Sequence, residues 1–127
     1  RVHYPQLLPE DAGAAALAAK TVELTEYLAA APGFTPPAKV PETVAYHDSC
    51  SSLRELKIAA APRDLLARAG AKVRPLTAAA ACCGFGGTFC VKYPEISARM
   101  AAEKCADIEA TGAGLLLGGP RAARSLE

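Results

Sequence analysis

Thr43-Val44-Ala45-Tyr46-His47-Asp48-Ser49-Cys50 is a short β-branched and aromatic run that ends on a polar turn carrying a thiol. The same pattern returns twice downstream. Lys72-Val73-Arg74-Pro75-Leu76 leads into a loop with Cys82-Cys83-Gly84-Phe85-Gly86-Gly87, and Leu115-Leu116-Leu117 leads into Gly118-Gly119-Pro120-Arg121. Between the first two runs, Lys57 to Ala69 holds a helical pattern, with Pro62 suited to a first turn and Gly70 to a stop. Between the second and third, Pro94 to Ala110 reads as a helix with Ile96, Met100 and Ile108 facing inward. Strand, helix, strand, helix, strand predicts an α/β, three-layer domain in which a small parallel sheet is flanked by helices. The loops that follow parallel strands gather at the carboxyl edge of the sheet, where open sheets bind ligands. Cys50, the Cys82-Cys83 pair and the segment from Gly118 to Arg121 are therefore expected at one edge.

Upstream, Asp11 to Ala30 is alanine-rich, with Leu17, Thr21, Leu24 and Leu28 at helical spacing and Lys20, Glu23 and Glu26 on other faces. This predicts one amphipathic helix. Ala31-Pro32-Gly33 ends it, and Pro32, Pro36, Pro37 and Pro41 hold the next stretch extended as a linker into the sheet.

A chain of 127 residues that is 51% hydrophobic fits one domain with a core of its own. Fourteen basic against thirteen acidic side chains give a net charge of +1 without a cationic cluster, so no nucleic-acid partner is expected. No apolar run approaches the ~18 residues of a membrane span, no transmembrane segment is expected, and the chain reads as soluble and cytoplasmic. The initial Arg1 points to a fragment, and Ser125-Leu126-Glu127 resembles a vector junction.

Five cysteines is an odd number, and two adjacent ones would crowd the backbone if both entered long-range disulfides. Thiolate sulfur is a soft ligand for zinc, copper(I) and iron–sulfur clusters. Such sites take about four ligands, of which Cys50, Cys82 and Cys83 supply three. An adjacent pair does not match the C-x-x-C spacing of a zinc knuckle. Gly84, Gly86 and Gly87 let the backbone approach a bulky cluster and leave amides free to donate to sulfide. The residues alone leave open a cluster or metal site, a vicinal redox-thiol pair and structural cysteines. His47 is a further candidate ligand through its neutral imidazole, weighed against a capping role, and Cys90 is near enough in sequence to join the site. Cys105, inside the last helix, is expected in the core. Asp48 and Ser49 are placed to cap a turn from Ser51 to Leu56. Phe89 stands at the last glycine place of a G-x-G-x-x-G pattern and no P-loop lysine follows, which argues against phosphate binding.

Tyr46-His47-Asp48-Ser49-Cys50, Cys82-Cys83-Gly84-Phe85-Gly86-Gly87-Thr88-Phe89, Lys92-Tyr93-Pro94-Glu95-Ile96-Ser97 and Glu103-Lys104 together closely resemble the cysteine-rich CCG domain. That domain occurs in the iron–sulfur subunits of lactate-utilisation and glycolate-oxidase systems and, more distantly, in heterodisulfide reductases. The resemblance runs from the first helix to about Gly119. It implies that Cys50, Cys82 and Cys83 ligate an iron–sulfur cluster that relays electrons during oxidation of a 2-hydroxy acid. It also implies other iron–sulfur or flavin subunits as partners, which would carry the substrate chemistry. A further cysteine segment is expected just after the third strand, where this sequence reads Gly118-Gly119-Pro120-Arg121-Ala122-Ala123-Arg124. On this reading residues 1–42 are a helix and proline-rich linker joining to a preceding CCG domain. Residues 43–119 are then the CCG domain, and 120–127 an atypical tail compatible with truncation. The alternatives are a zinc-binding or metal-free interaction domain and a vicinal-thiol redox protein.

Overall fold

The computed structural model describes residues 1–118 and the short strand Arg124–Ser125. Its centre is β1, Thr43–His47, which pairs in parallel on both sides. β2, Lys72–Arg74, aligns Val73 with Val44, and β3, Leu115–Gly118, aligns Leu116 with Ala45 and Leu117 with Tyr46. A central strand is covered on both faces, so it must be apolar at successive positions rather than at alternate ones. Val44, Ala45 and Tyr46 are accordingly all buried. β4, Arg124–Ser125, adds an antiparallel edge beside β3, giving the order β2-β1-β3-β4. The three parallel strands are those expected; the antiparallel edge is an addition.

Counted in chain order, the helices are α1 His3–Leu7, α2 Ala12–Lys20, α3 Leu24–Ala30, α4 Ala60–Arg68, α5 Phe89–Lys92 and α6 Pro94–Glu109. On one side of the sheet, Ile108 of α6 meets Ala45 and Leu76, with Leu116, Ala79 and Ala113 packed around them. Burying an isoleucine of this kind contributes about 1.5–3 kcal/mol. The opposite side carries α4 and, against it, α3. The domain is thus an α/β sandwich of helix, sheet and helix, as the strand–helix alternation predicted.

Three local expectations change. The helix expected over residues 11–30 is two helices, because the Glu23 carboxylate accepts from the amides of Thr25 (2.7 Å) and Glu26 (3.3 Å) and starts α3 afresh. Thr21 closes α2, its hydroxyl donating to Leu17 O at 2.7 Å. Alanine spacing alone does not register a carboxylate cap of this kind. On α6 the inward stripe is Ser97, Lys104 and Ile108, while Ile96 and Cys105 are exposed. The core role expected for Cys105 and the inward placing of Ile96 are therefore corrected; close packing of the Gly84 backbone on α6 brings Ser97 inward, which turns its neighbour Ile96 out.

α4 behaves as its sequence dictates. Pro62 lies in the first turn, where its missing donor costs nothing. Gly70, at φ +91°, lets its own amide reach Ala67 O (2.9 Å) and that of Ala71 reach Leu66 O (3.0 Å), the paired bonds of a Schellman stop. β2 follows at once, so this turn fixes where the thiol-bearing loop begins.

Candidate functional site

The carboxyl ends of β1 and β2 build the site. β1 ends at His47, Asp48 is buried, Ser49 turns the chain and Cys50 stands exposed at the rim. Ser49 Oγ accepts from the Ser52 amide at 3.1 Å and caps the turn, as expected. The turn Ser51–Glu55 is wider than an α-turn, with the Leu56 amide reaching back to Ser51 O at 3.0 Å. Wide turns of this type are frequent at functional sites, because they redirect one side chain without ending the element.

Asp48 does not cap that turn. Its carboxylate, 4% exposed, takes a two-pronged ion pair from Arg63 of α4, at 2.8 Å to Oδ1 and 2.6 Å to Oδ2. Arg63 also donates to Ala59 O (2.6 Å) and lies over the Tyr46 ring at 5.0 Å. The hydrogen bond to Asp48 pushes the Arg63 guanidinium further up from its ordinary value. Burial, with the Asp48 charge added, likewise holds the Tyr46 phenol above its usual range. The pair fastens the end of β1 to the helix that follows it and so sets where Cys50 emerges.

The second loop is fastened to α6. Asp107 accepts from the amides of Thr77 (3.0 Å) and Ala78 (3.1 Å), and Lys104 Nζ donates to Ala78 O at 2.5 Å. Beyond Cys82 and Cys83, Gly84 adopts φ +78° and its carbonyl accepts from Ser97 Oγ at 3.1 Å. A Cβ on Gly84 would lie 2.7 Å from Ser97 O and 2.9 Å from Met100 Cβ. Gly84 is therefore required by its approach to α6. Gly86 and Gly87 have open space where a Cβ would stand, Gly87 at φ +51°. Cys90 Sγ donates to Gly87 O at 3.3 Å and folds back onto its own loop.

Cys50 and the Cys82–Cys83 pair follow the carboxyl ends of β1 and β2, two strands that pair in parallel. Partial burial raises the Cys50 thiol above its ordinary value, the Cys82 thiol and then Cys83 raise it further, and the Arg54 guanidinium opposes them. Cys82 and Cys83 are half-buried, and all five cysteines are free thiols. Among the described residues, no group of three His, Cys, Asp or Glu closes tightly enough to hold a metal ion. In kind and in place the donors suit a soft metal or an iron–sulfur group: three thiols at one edge, with open space beside Gly86 and Gly87. The segment expected to face them from β3, beyond Gly118, lies mostly outside the described residues.

His47 is half-buried, and its Nδ1 is enclosed without a hydrogen-bond partner among the described residues. Burial, and then the Lys104 charge, lower its pKa from 6.5. A lowered folded-state pKa means that the unfolded chain takes up protons first, so the contribution to stability is whole above about pH 6.5 and is lost as pH falls. Acidification from about pH 7 to 5.5 should therefore destabilise the metal-free protein, and His47→Asn should flatten that limb. Urea midpoints across the range measure it; an unchanged slope in the variant would place the loss elsewhere.

Sequence reasoning missed the Asp48–Arg63 pair and the Lys104–Asp107 clamp. A weak signal existed for the clamp, since Lys104 falls one helical repeat from Ser97 on the stripe that ends at Ile108.

Comparison with known proteins agrees with this geometry. The family model of the CCG cysteine-rich domain matches residues 44–119, from the core of β1 to just past β3. The chain is 44% identical over 123 residues to lactate utilization protein A of Bacillus pumilus, covering 92% of this chain and 52% of that protein. It is 43% identical over 121 residues to the protein of the same name from an Exiguobacterium species, covering 91% and 49% respectively. For Shouchella clausii the identity is 42% over 123 residues, covering 92% and 52%. The chain thus spans about half the length of the curated relatives it matches. No solved structure gives a significant match. No helix among the described residues is long and apolar enough to cross a membrane. With the strand ends, the thiol loop and the 44–119 match in agreement, the chain belongs to the CCG cysteine-rich domain family.

Proposed function

We propose that this chain is the cluster-binding, electron-relaying part of a lactate-oxidising system, with Cys50, Cys82 and Cys83 as ligands of an iron–sulfur cluster. The observation that supports the reading is that the loops bearing Cys50 and the Cys82–Cys83 pair follow adjacent parallel strands and so leave the same edge of the sheet. The name the relatives share, lactate utilization protein A, supplies the substrate class. Glycolate, a 2-hydroxy acid of the same chemistry, is the neighbouring choice.

A cluster, when bound, supplies one-electron transfer and neither a hydride acceptor nor a substrate base. The residues here therefore hold and orient rather than act on lactate. Cys50 contributes a sulfur from a rim set by the Asp48–Arg63 pair, and Cys82 and Cys83 contribute theirs from a loop pinned by Asp107 and by the Gly84–Ser97 contact. Gly86 and Gly87 leave room beside the thiols. The electron donor site and the acceptor belong to partner subunits of iron–sulfur or flavin type.

Anaerobic reconstitution with iron and sulfide should give a brown protein with matching iron and acid-labile sulfide contents. Cys82→Ser and Cys83→Ser should each lose most of the bound iron, because a soft thiolate is replaced by a hard hydroxyl. Cys105→Ser, on the exposed face of α6, should keep it. A colourless protein carrying one zinc, or equal iron in all three variants, would overturn the reading.

A further inference from the structure

Lys104 is an unusual residue to bury. It is 5% exposed, yet its ammonium has one short hydrogen bond, to Ala78 O, and one long ion pair, 3.9 Å to Asp107 Oδ2. Asp107 is already accepting two backbone amides, so its charge is shared among three donors. A lysine held this far from water ordinarily requires a full counter-charge. Within the described residues the counter-charge is incomplete.

The surroundings show where the missing charge belongs. Lys104 lines a cavity of about 90 Å³ together with Cys82, Met100, Glu103 and Asp107, and the Glu103 carboxylate is exposed and paired with Arg99. Its charge also reaches His47, at the end of β1. The ammonium therefore stands behind the thiol edge, in contact with the loop that carries two of the three sulfurs and within range of the strand that carries the third. Neutral thiols add nothing to its one long pair with Asp107. Thiolates, gathered when a metal or cluster binds, would match it.

We propose that Lys104 is the built-in counter-cation of the cysteine site, offsetting from behind Cys82 the negative charge that the three cysteines gather on binding a metal or cluster. The inference rests on the ligand reading above. A fixed positive charge near a set of thiolates lowers the electrostatic cost of bringing them together, and Lys104 supplies it without being a ligand. The competing role is a mechanical clamp on the Ala78 carbonyl, in which the charge is incidental.

Cadmium binding to the metal-free protein, measured by competition with a chelator, separates the two, because cadmium reports thiolate affinity without requiring a cluster. Lys104→Met keeps length and removes charge, and it should weaken cadmium binding by about 10- to 100-fold. Asp107→Asn removes the opposing carboxylate and should tighten binding several-fold, although it weakens the loop clamp. Opposite signs in the two variants are the signature of charge. Weakening in both, in step with lower urea midpoints, would assign Lys104 to the clamp and overturn the proposal, as would wild-type affinity in Lys104→Met. If Lys104→Met does not fold, Asp107→Asn decides, and unchanged or weaker binding overturns the inference. Absence of cadmium binding by the wild-type protein would instead sink the ligand reading itself, and this inference with it.

Discussion

Gly84→Ala should lower the unfolding free energy by about 2–4 kcal/mol and loosen the loop that carries Cys82 and Cys83. Two costs combine at this position. At φ +78° a Cβ is strained by about 1–2 kcal/mol whatever the space around it. The added methyl would also meet Ser97 O at 2.7 Å and Met100 Cβ at 2.9 Å, against the body of α6. Neither neighbour moves freely, since one is backbone and the other is the root of a side chain. Relief requires the loop to withdraw from α6, which breaks the bond from Ser97 Oγ to Gly84 O. Gly86→Ala is the matched control, because open space surrounds its Cβ position, and it should change stability by less than ~0.5 kcal/mol. Urea unfolding of the two variants measures the contrast. Equal midpoints would show that the approach to α6 contributes nothing.

Arg63→Met should cost about 3 kcal/mol, close to the usual penalty for leaving one member of a buried pair alone. The two partners are unequal. Asp48 is 4% exposed at its side chain and Arg63 35%, so an abandoned Asp48 carboxylate stays out of water while an abandoned Arg63 still reaches it. Asp48→Asn should therefore cost less, about 1–2 kcal/mol. The double variant Asp48→Leu with Arg63→Met should recover part of the loss, because no charge remains buried. Equal penalties for the two single variants would show that burial does not govern this pair. Arg63→Met should also lower the iron retained after reconstitution, since Arg63 fixes the strand end from which Cys50 emerges.

The legible part of this protein was the part written in short-range chemistry. The β-branched run at Thr43–His47 and the leucines at 115–117 announced strands, Pro62 and Gly70 bracketed α4, and Pro94 opened α6. Two features misled. The helical spacing of Leu17, Thr21, Leu24 and Leu28 ran unbroken through residues 21–23, and only the reach of the Glu23 carboxylate to Thr25 and Glu26 showed a new helix start. On α6, Ile96 and Cys105 looked apolar enough to bury, yet Lys104 and Ser97 took the inward positions because the Gly84 loop needed a hydrogen-bonding partner there.

By itself the sequence determined the α/β class, the three parallel strands and the edge from which the loops of Cys50, Cys82 and Cys83 leave, because strand periodicity and the rule for parallel crossovers act on neighbouring residues. It also carried the family, through the thiol loop and its distance from Cys50. Only the tertiary structure decided how that edge is held. Gly84 is required by a helix contact, Asp48 answers to Arg63 on another element, and a buried Lys104 holds the Ala78 carbonyl of the thiol-bearing loop. Each joins residues far apart in the chain, and such pairings exist only once the sheet has brought their elements together.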